Sequence, residues 1–191
     1  PEQQRIAMET LEIYASIAHR LQLGVLKGQL EDAAFKYIHP EQYRWLYNVT
    51  RKSYEKRQTS LMEASKRIKD KLRDEGIRTV EVKARIKFLY SLYQKLQRYE
   101  NDLSRIYDVI ALRVIVPRIS DCYTALGLIH REFKPIKGRI KDYIARPKAN
   151  GYTSLHTTVQ LDNGDYLEVQ IRTMEMHAQA QYGIAAHWQF K

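Results

Sequence analysis

The stretch Ser154–Thr173, SLHTTVQLDNGDYLEVQIRT, decides the fold, because it reads as two alternating strands around a turn. Leu155, Thr157, Val159 and Leu161 alternate with His156, Thr158 and Gln160, and Leu167, Val169 and Ile171 alternate with Tyr166, Glu168, Gln170 and Arg172. Such period-two patterning predicts a hairpin with one apolar and one polar face. Directly opposed residues share a face, so the apolar sets match only when Val159 faces Leu167. That register makes Asp162-Asn163-Gly164 a three-residue loop with Gly164 in the left-handed position. It also sets Gln170 opposite His156 and Glu168 opposite Thr158. An acid, a histidine, an amide and Arg172 then share the polar face.

Upstream, the segment 106–116 contains Val109-Ile110-Ala111-Leu112 and Val114-Ile115-Val116, apolar on both faces, which predicts a central strand. Thr79–Lys83 reads as another strand and 86–99 as a helix. Within that helix Lys87, Ser91 and Lys95 fall on one stripe, with Leu89, Leu92, Tyr93 and Leu96 on the opposite one. A second helix is predicted over 120–133 with Ser120 as its N-cap, and a terminal helix over 174–190. Residues 134–153 combine Pro135, Gly138, Pro147 and Gly151 with Lys134, Lys137, Arg139, Lys141, Arg146 and Lys148, predicting a short strand and a long basic loop. The first 75 residues are helical in pattern: Arg5 to Leu23 with Gly24 as a stop, Gly28 to Ile38, a helix opened by Pro40, and a long surface helix over Lys52–Glu75 that ends at Gly76.

Composition is that of a folded chain. The 191 residues are 44% hydrophobic and 28% charged, with a formal net charge of +10. That charge suits polyanions (nucleotides, RNA or anionic lipid) without choosing among them. No apolar run approaches the ~20 residues of a membrane span, and the start has no signal-peptide pattern, so a soluble, cytoplasmic protein without membrane contact is expected. Cys122 is the only cysteine, which rules out an internal disulfide and fits a reducing compartment. His177 and His187 are too widely spaced for a His-x3-His zinc pair. A first residue that is Pro rather than Met suggests a fragment of a longer protein.

The chemistry-bearing residues each have a plain alternative. The Lys87, Ser91, Lys95 row, with Arg85 just before it, suits a polyphosphate near a helix N-terminus or is simply a solvated face. Asp108, opening an apolar strand, caps something or binds a metal, and Glu168 could supply a second carboxylate to the same Mg²⁺. The loop 138–152 offers cations for phosphates, Tyr152 to stack on a base and Asn150 to read its edge; generic RNA binding would use the same parts.

Taken in order, Arg85–Lys95, Tyr107–Val114, Gly138–His156, Glu168–Thr173, and Met176-His177 with Tyr182–Trp188 resemble the synthetase domain of the RelA/SpoT family. The likeness covers residues from about 78 to 191. Residues 1–50, with Glu9–Ala15 and Ala18–Leu21, resemble the tail of that family's hydrolase domain, and 51–77 would be a long connecting helix. The resemblance implies an α+β, nucleotidyltransferase-like mixed sheet flanked by helices and preceded by an all-helical segment. It also implies transfer of pyrophosphate from ATP to the 3′-hydroxyl of GDP or GTP, with release of AMP, in the stringent response. Matched by motif, Arg85, Lys87, Ser91 and Lys95 would hold the ATP phosphates. Asp108 and Glu168 would be the catalytic, Mg²⁺-binding acids. Arg139, Lys141, Lys148, Asn150, Tyr152, His156 and Gln170 would line the guanine-nucleotide site.

Two positions depart from the family pattern: Ala84 stands where Gly is common, and Gln181 where Glu is usual. The motif Arg139-Ile140-Lys141-Asp142 resembles the branch that also degrades alarmones, yet the hydrolase metal motif would lie upstream of Pro1. No hydrolysis by this chain is therefore expected. Ribosome or RNA contact would fall to regulatory domains beyond it, and nothing indicates an oligomeric state. The competing readings are a basic RNA-binding scaffold and transfer of a nucleotidyl group.

Overall fold

In the computed structural model, described for residues 2–78, 81–98, 110–183 and 186, the chain forms two compact units. One comprises Pro1–Ser53, Lys87–Ile106 and Ala178–Lys191, the other Tyr54–Ile86 and Tyr107–His177.

The first unit is helical. Helix α1 (Glu2–Glu9) continues through a π-helical segment (Thr10–Tyr14) into α2 (Ala15–Arg20), and α3 follows (Gly24–Ile38). Gly24 therefore begins a helix instead of stopping one; the reversal sits two residues earlier, at Gln22, whose φ is 60°. The sequence pattern predicts a helix from Gly28 to Ile38. That glycine instead lies inside α3, and a Cβ there would come within 2.2 Å of the Phe88 ring. Packing, not backbone freedom, explains it.

Helix α4 (Pro40–Asp74) is a single unbroken helix in place of the two expected, opened by Pro40 as predicted. Nor is it merely surface: Leu61, Ala64, Ile68 and Leu72, spaced three and four apart, are buried in the core of the second unit.

The second unit is built on a mixed sheet of β1 (Glu81–Ile86), β2 (Ile110–Val116), β3 (Lys134–Pro135), β4 (Lys141–Asp142), β5 (Leu155–Gln160) and β6 (Tyr166–Thr173). The order is β1-β2-β6-β5-β3, with β4 also paired to β5. The β2–β6 pair is parallel; the others are antiparallel. As the doubly apolar pattern of β2 predicts, that strand is interior. The predicted hairpin register is met residue for residue: Val159 pairs with Leu167, Thr158 with Glu168 and His156 with Gln170. Leu161 N–H donates to Asp165 O at 2.8 Å, closing the loop around Gly164 at φ +82°.

Helix α6 (Ile119–Glu132) supplies Cys122, Ala125, Leu128 and Ile129 to the same core as Leu112, Val114, Val159, Val169 and Ile171. Its N-cap is Arg118, not Ser120, because the Asp121 carboxylate reaches back to accept Arg118 N–H at 3.2 Å. Helix α7 covers Met174–Tyr182; Trp188 and Phe190, placed by the sequence in a longer helix, lie outside the described residues. Among the described residues no helix is long and apolar enough to cross a membrane.

Candidate active site on the polar sheet face

Pairing across the sheet gathers the polar residues into rows. One row runs Lys83, Arg113, Gln170, His156, Lys141 across five strands. The next runs Arg85, Ala111, Glu168, Thr158. The apolar partners of these residues point the other way into the core, so alternation alone delivers charge to one face.

Glu168 is the centre of this face. Gln170 Nε2 donates to its Oε1 at 2.8 Å, and His156 Nδ1 lies 3.4 Å from the same oxygen. Both carboxylate and imidazole are largely shielded, with side-chain exposures of 16% and 15%. The face is thus drier than its polar pattern alone implies, and Gln170 and Arg172 are buried. Among the described residues, Gln170 Oε1, Arg113 Nε and Arg172 Nε are buried with no hydrogen-bond partner.

The arginines on this face repel one another. Burial, then Arg85, pushes the Arg113 pKa down; burial, then Arg113, lowers that of Arg172. An Arg172 guanidinium nitrogen lies 2.7 Å from His177 Nδ1. Since arginine can only donate, His177 accepts there and carries its proton on Nε2. Burial and the two arginines push its pKa down to about 4. Sequence reading gave neither His177 nor Arg113 a role in the site. The row position of Arg113 could be read only once β2 was known to pair with β6.

On the basic loop, Tyr152 hydroxyl is 2.9 Å from His156 Nε2 and accepts from Ser154 Oγ at 2.9 Å. Tyr143, also missed from sequence, packs edge-on to both, with centroids 6.1 Å from Tyr152 and 5.3 Å from His156. Lys148 Nζ sits over the Tyr143 and Tyr152 rings at 4.7 and 5.1 Å. Asn150 Oδ1 accepts Tyr152 N–H at 3.3 Å, so this side chain shapes the loop. Asp142 fastens the loop's start, accepting from Ile144 N–H, Ala145 N–H and Tyr123 O–H. These bonds hold its carboxyl below its ordinary pKa, with the Ala145 amide the largest cause. Lys141, Lys148, Tyr152, His156 and Gln170 thus belong to one end of the sheet and its loop, while Arg139 is exposed just before β4.

The predicted phosphate residues are arranged differently from the expected helical stripe. Helix α5 spans Leu89–Gln97, so Ser91 and Lys95 are helical, whereas Lys87 precedes the N-cap Phe88. The apolar stripe is as predicted, with Leu89, Leu92 and Leu96 buried. Lys87, Ser91 and Lys95 belong to the first unit and Arg85 to the second. The first amides of α5 are already occupied: Leu89 N–H and Tyr90 N–H donate to the Asp32 carboxylate at 3.1 and 2.8 Å. Asp108, the other proposed acid, lies outside the described residues.

The chain is similar in sequence and in fold to known proteins. A sequence model described as a region found in RelA / SpoT proteins matches residues 84–191. The whole chain aligns at 46% identity with a probable guanosine-3′,5′-bis(diphosphate) 3′-pyrophosphohydrolase of Synechocystis, covering 25% of that protein. It aligns at 45% identity with a GTP pyrophosphokinase of Streptomyces antibioticus, covering 22% of it. The chain thus spans about a quarter of the length of these curated relatives. Among solved structures, the small alarmone synthetase 2 of Bacillus subtilis is similar over 79% of this chain and 84% of that one, with a TM-score of 0.53 and 25% identity. A GTP pyrophosphokinase family protein of Streptococcus pneumoniae shares the fold, with a TM-score of 0.55 at 23% identity. With its mixed sheet flanked by helices, its motifs in order and the family model matched over more than half its length, this chain belongs to the RelA/SpoT family.

Proposed function

We propose that this chain makes guanosine 3′,5′-bispyrophosphates, moving the pyrophosphate of ATP onto the 3′-hydroxyl of GDP or GTP and releasing AMP. The observation that carries this reading is Glu168: a shielded carboxylate oriented by Gln170, with His156 beside it, on a sheet face that also carries Lys83, Arg85, Arg113 and Lys141. A surface evolved only to bind RNA has no use for an acid held in that position.

The 3′-oxygen of the acceptor attacks the β-phosphorus of ATP, and AMP departs. Phosphoryl-type transfer needs positioning and charge neutralisation more than covalent chemistry. Arg85, Lys87, Ser91 and Lys95 take the ATP phosphates. Tyr152 stacks on guanine, with Asn150, His156 and Gln170 beside it, and Arg139, Lys141 and Lys148 receive the acceptor's phosphates. Glu168 takes the 3′-hydroxyl proton or holds the metal.

The oxygens present suit Mg²⁺: the Glu168 carboxylate, with the buried, unpartnered Gln170 Oε1 close by, is a set of hard donors. Asp108 and Glu168 would hold the ion, which supplies neutralisation of charge developing on the phosphates. Residues 78–191 would form the transferase and 51–77 the connecting helix, with 1–50 a hydrolase-like tail.

Incubation with ATP, GDP and Mg²⁺ should yield AMP and guanosine 3′,5′-bispyrophosphate. A folded sample that binds both nucleotides and makes neither product overturns the assignment, and AMP attached to the acceptor would indicate nucleotidyl transfer instead.

A further inference from the structure

Helix α5 has no side-chain cap of its own; its N-cap residue is Phe88. A helix leaves its first amides without internal partners, and an acid at that end is favoured by the dipole as well. Here the acid comes from a different helix. Asp32 on α3 takes the amides of Leu89 and Tyr90, the first two of α5.

The same stripe of α3 receives the rest of the helix start. Four residues before Asp32, Gly28 leaves the space that the Phe88 ring fills. Three residues after it, fully buried Phe35 meets the Tyr90 and Tyr93 rings, with centroids 5.5 and 4.9 Å away. Gly28, Asp32 and Phe35 are thus a socket for the beginning of α5. Burial raises the Asp32 pKa above its ordinary value even though both amides act to lower it, in keeping with a carboxylate partly withdrawn from water.

From this geometry we infer that Asp32 is a positioning residue for ATP: by capping α5 from α3, it fixes the helix that carries Ser91 and Lys95 and denies its first two amides to phosphate. The inference rests on the proposed role of those side chains and deepens it. The triphosphate is then held by the side chains of Lys87, Ser91 and Lys95, not by those first amides. Helix α3, which the sequence assigns to a hydrolase-like tail, becomes a working part of the ATP site.

Two effects of removing Asp32 oppose each other. Loss of a negative charge favours an incoming phosphate, whereas loss of the cap frees the helix start. The variants Asp32→Ala and Asp32→Asn separate them, because Asn keeps one acceptor oxygen while losing the charge. In the full chain, calorimetric binding of a non-hydrolysable ATP analogue should weaken roughly fivefold in Asp32→Ala, the factor that corresponds to loss of a typical N-cap. Asp32→Asn should weaken it less. GDP affinity should not change in either, and amide exchange over residues 88–92 should accelerate in Asp32→Ala. Tighter analogue binding in Asp32→Asn, unchanged binding in Asp32→Ala, or an equal loss for GDP would each overturn the inference. Gly28→Ala, which pushes on the Phe88 ring without touching charge, should also weaken the analogue selectively and serves if Asp32→Ala does not fold. A wild-type chain that binds the analogue yet releases no AMP sinks the transferase reading and leaves this one standing. Analogue affinity indifferent to Asp32 alongside normal AMP release does the reverse.

Discussion

Gln170 Nε2 donates to Glu168 Oε1 at 2.8 Å, from two residues along the same strand and the same face. The amide therefore orients the carboxylate, and its own oxygen is left buried without a partner. Glu168→Ala should reduce AMP release by about 10²–10³-fold, the scale of losing one group that manages transition-state charge. Gln170→Ala should cost less, and Glu168→Gln should be as inactive as Glu168→Ala. Retained turnover in either Glu168 variant removes the acid from the reaction.

Tyr152 offers a ring and a hydroxyl with separable roles. Tyr152→Ala should raise the KM for GDP in line with a loss of about 1–3 kcal/mol for one stacked base. Tyr152→Phe keeps the ring and gives up the bonds to His156 and Ser154, so its KM should rise less. Steady-state kinetics at saturating ATP decides; equal effects would mean that the hydroxyl network matters more than stacking.

His177 predicts a pH dependence of stability. Its folded pKa is about 4, below the ordinary 6.5, so below about pH 6.5 the unfolded chain takes up a proton that the folded chain refuses. The stability it contributes is full above 6.5 and falls as pH drops towards 4. His177→Gln should flatten the slope of the urea midpoint between those values. A slope unchanged by the substitution would place the proton uptake elsewhere.

Cys122 is fully buried and its thiol is pushed up to about 12, by burial first and Asp121 second. The thiolate is the reactive form, so the native protein should resist a thiol reagent at neutral pH and react only upon unfolding. Rapid labelling of folded protein would show that α6 opens locally.

The hairpin was legible because two constraints coincide there: strict alternation, and a loop with Gly at its left-handed position. Neither needs information from elsewhere in the chain. The start of α5 was not legible in the same way. Lys87 fits the helical spacing of Ser91 and Lys95, but the chain is still leaving β1 at that point, and the cap that starts the helix comes from Asp32, 57 residues upstream. No local pattern advertises a cap from so far away. The row joining Arg113 to Gln170 was hidden for a similar reason, since parallel partners are chosen by the crossover and not by neighbouring residues.

Both corners of the hairpin loop are moored to one helix: Asp162 Oδ2 lies 2.6 Å from Arg67 Nη1, and Asp165 Oδ2 lies 3.7 Å from Arg57 Nε. Alternation forbids a slip of one residue, because it would turn every greasy side chain outward, yet it tolerates a slip of two. Such an even slip would carry an aspartate about 7 Å along the strand and out of reach of its arginine. The two ion pairs thus act as a vernier, excluding the misalignments that hydrophobicity cannot detect and so keeping Glu168 at its own rung of the ladder.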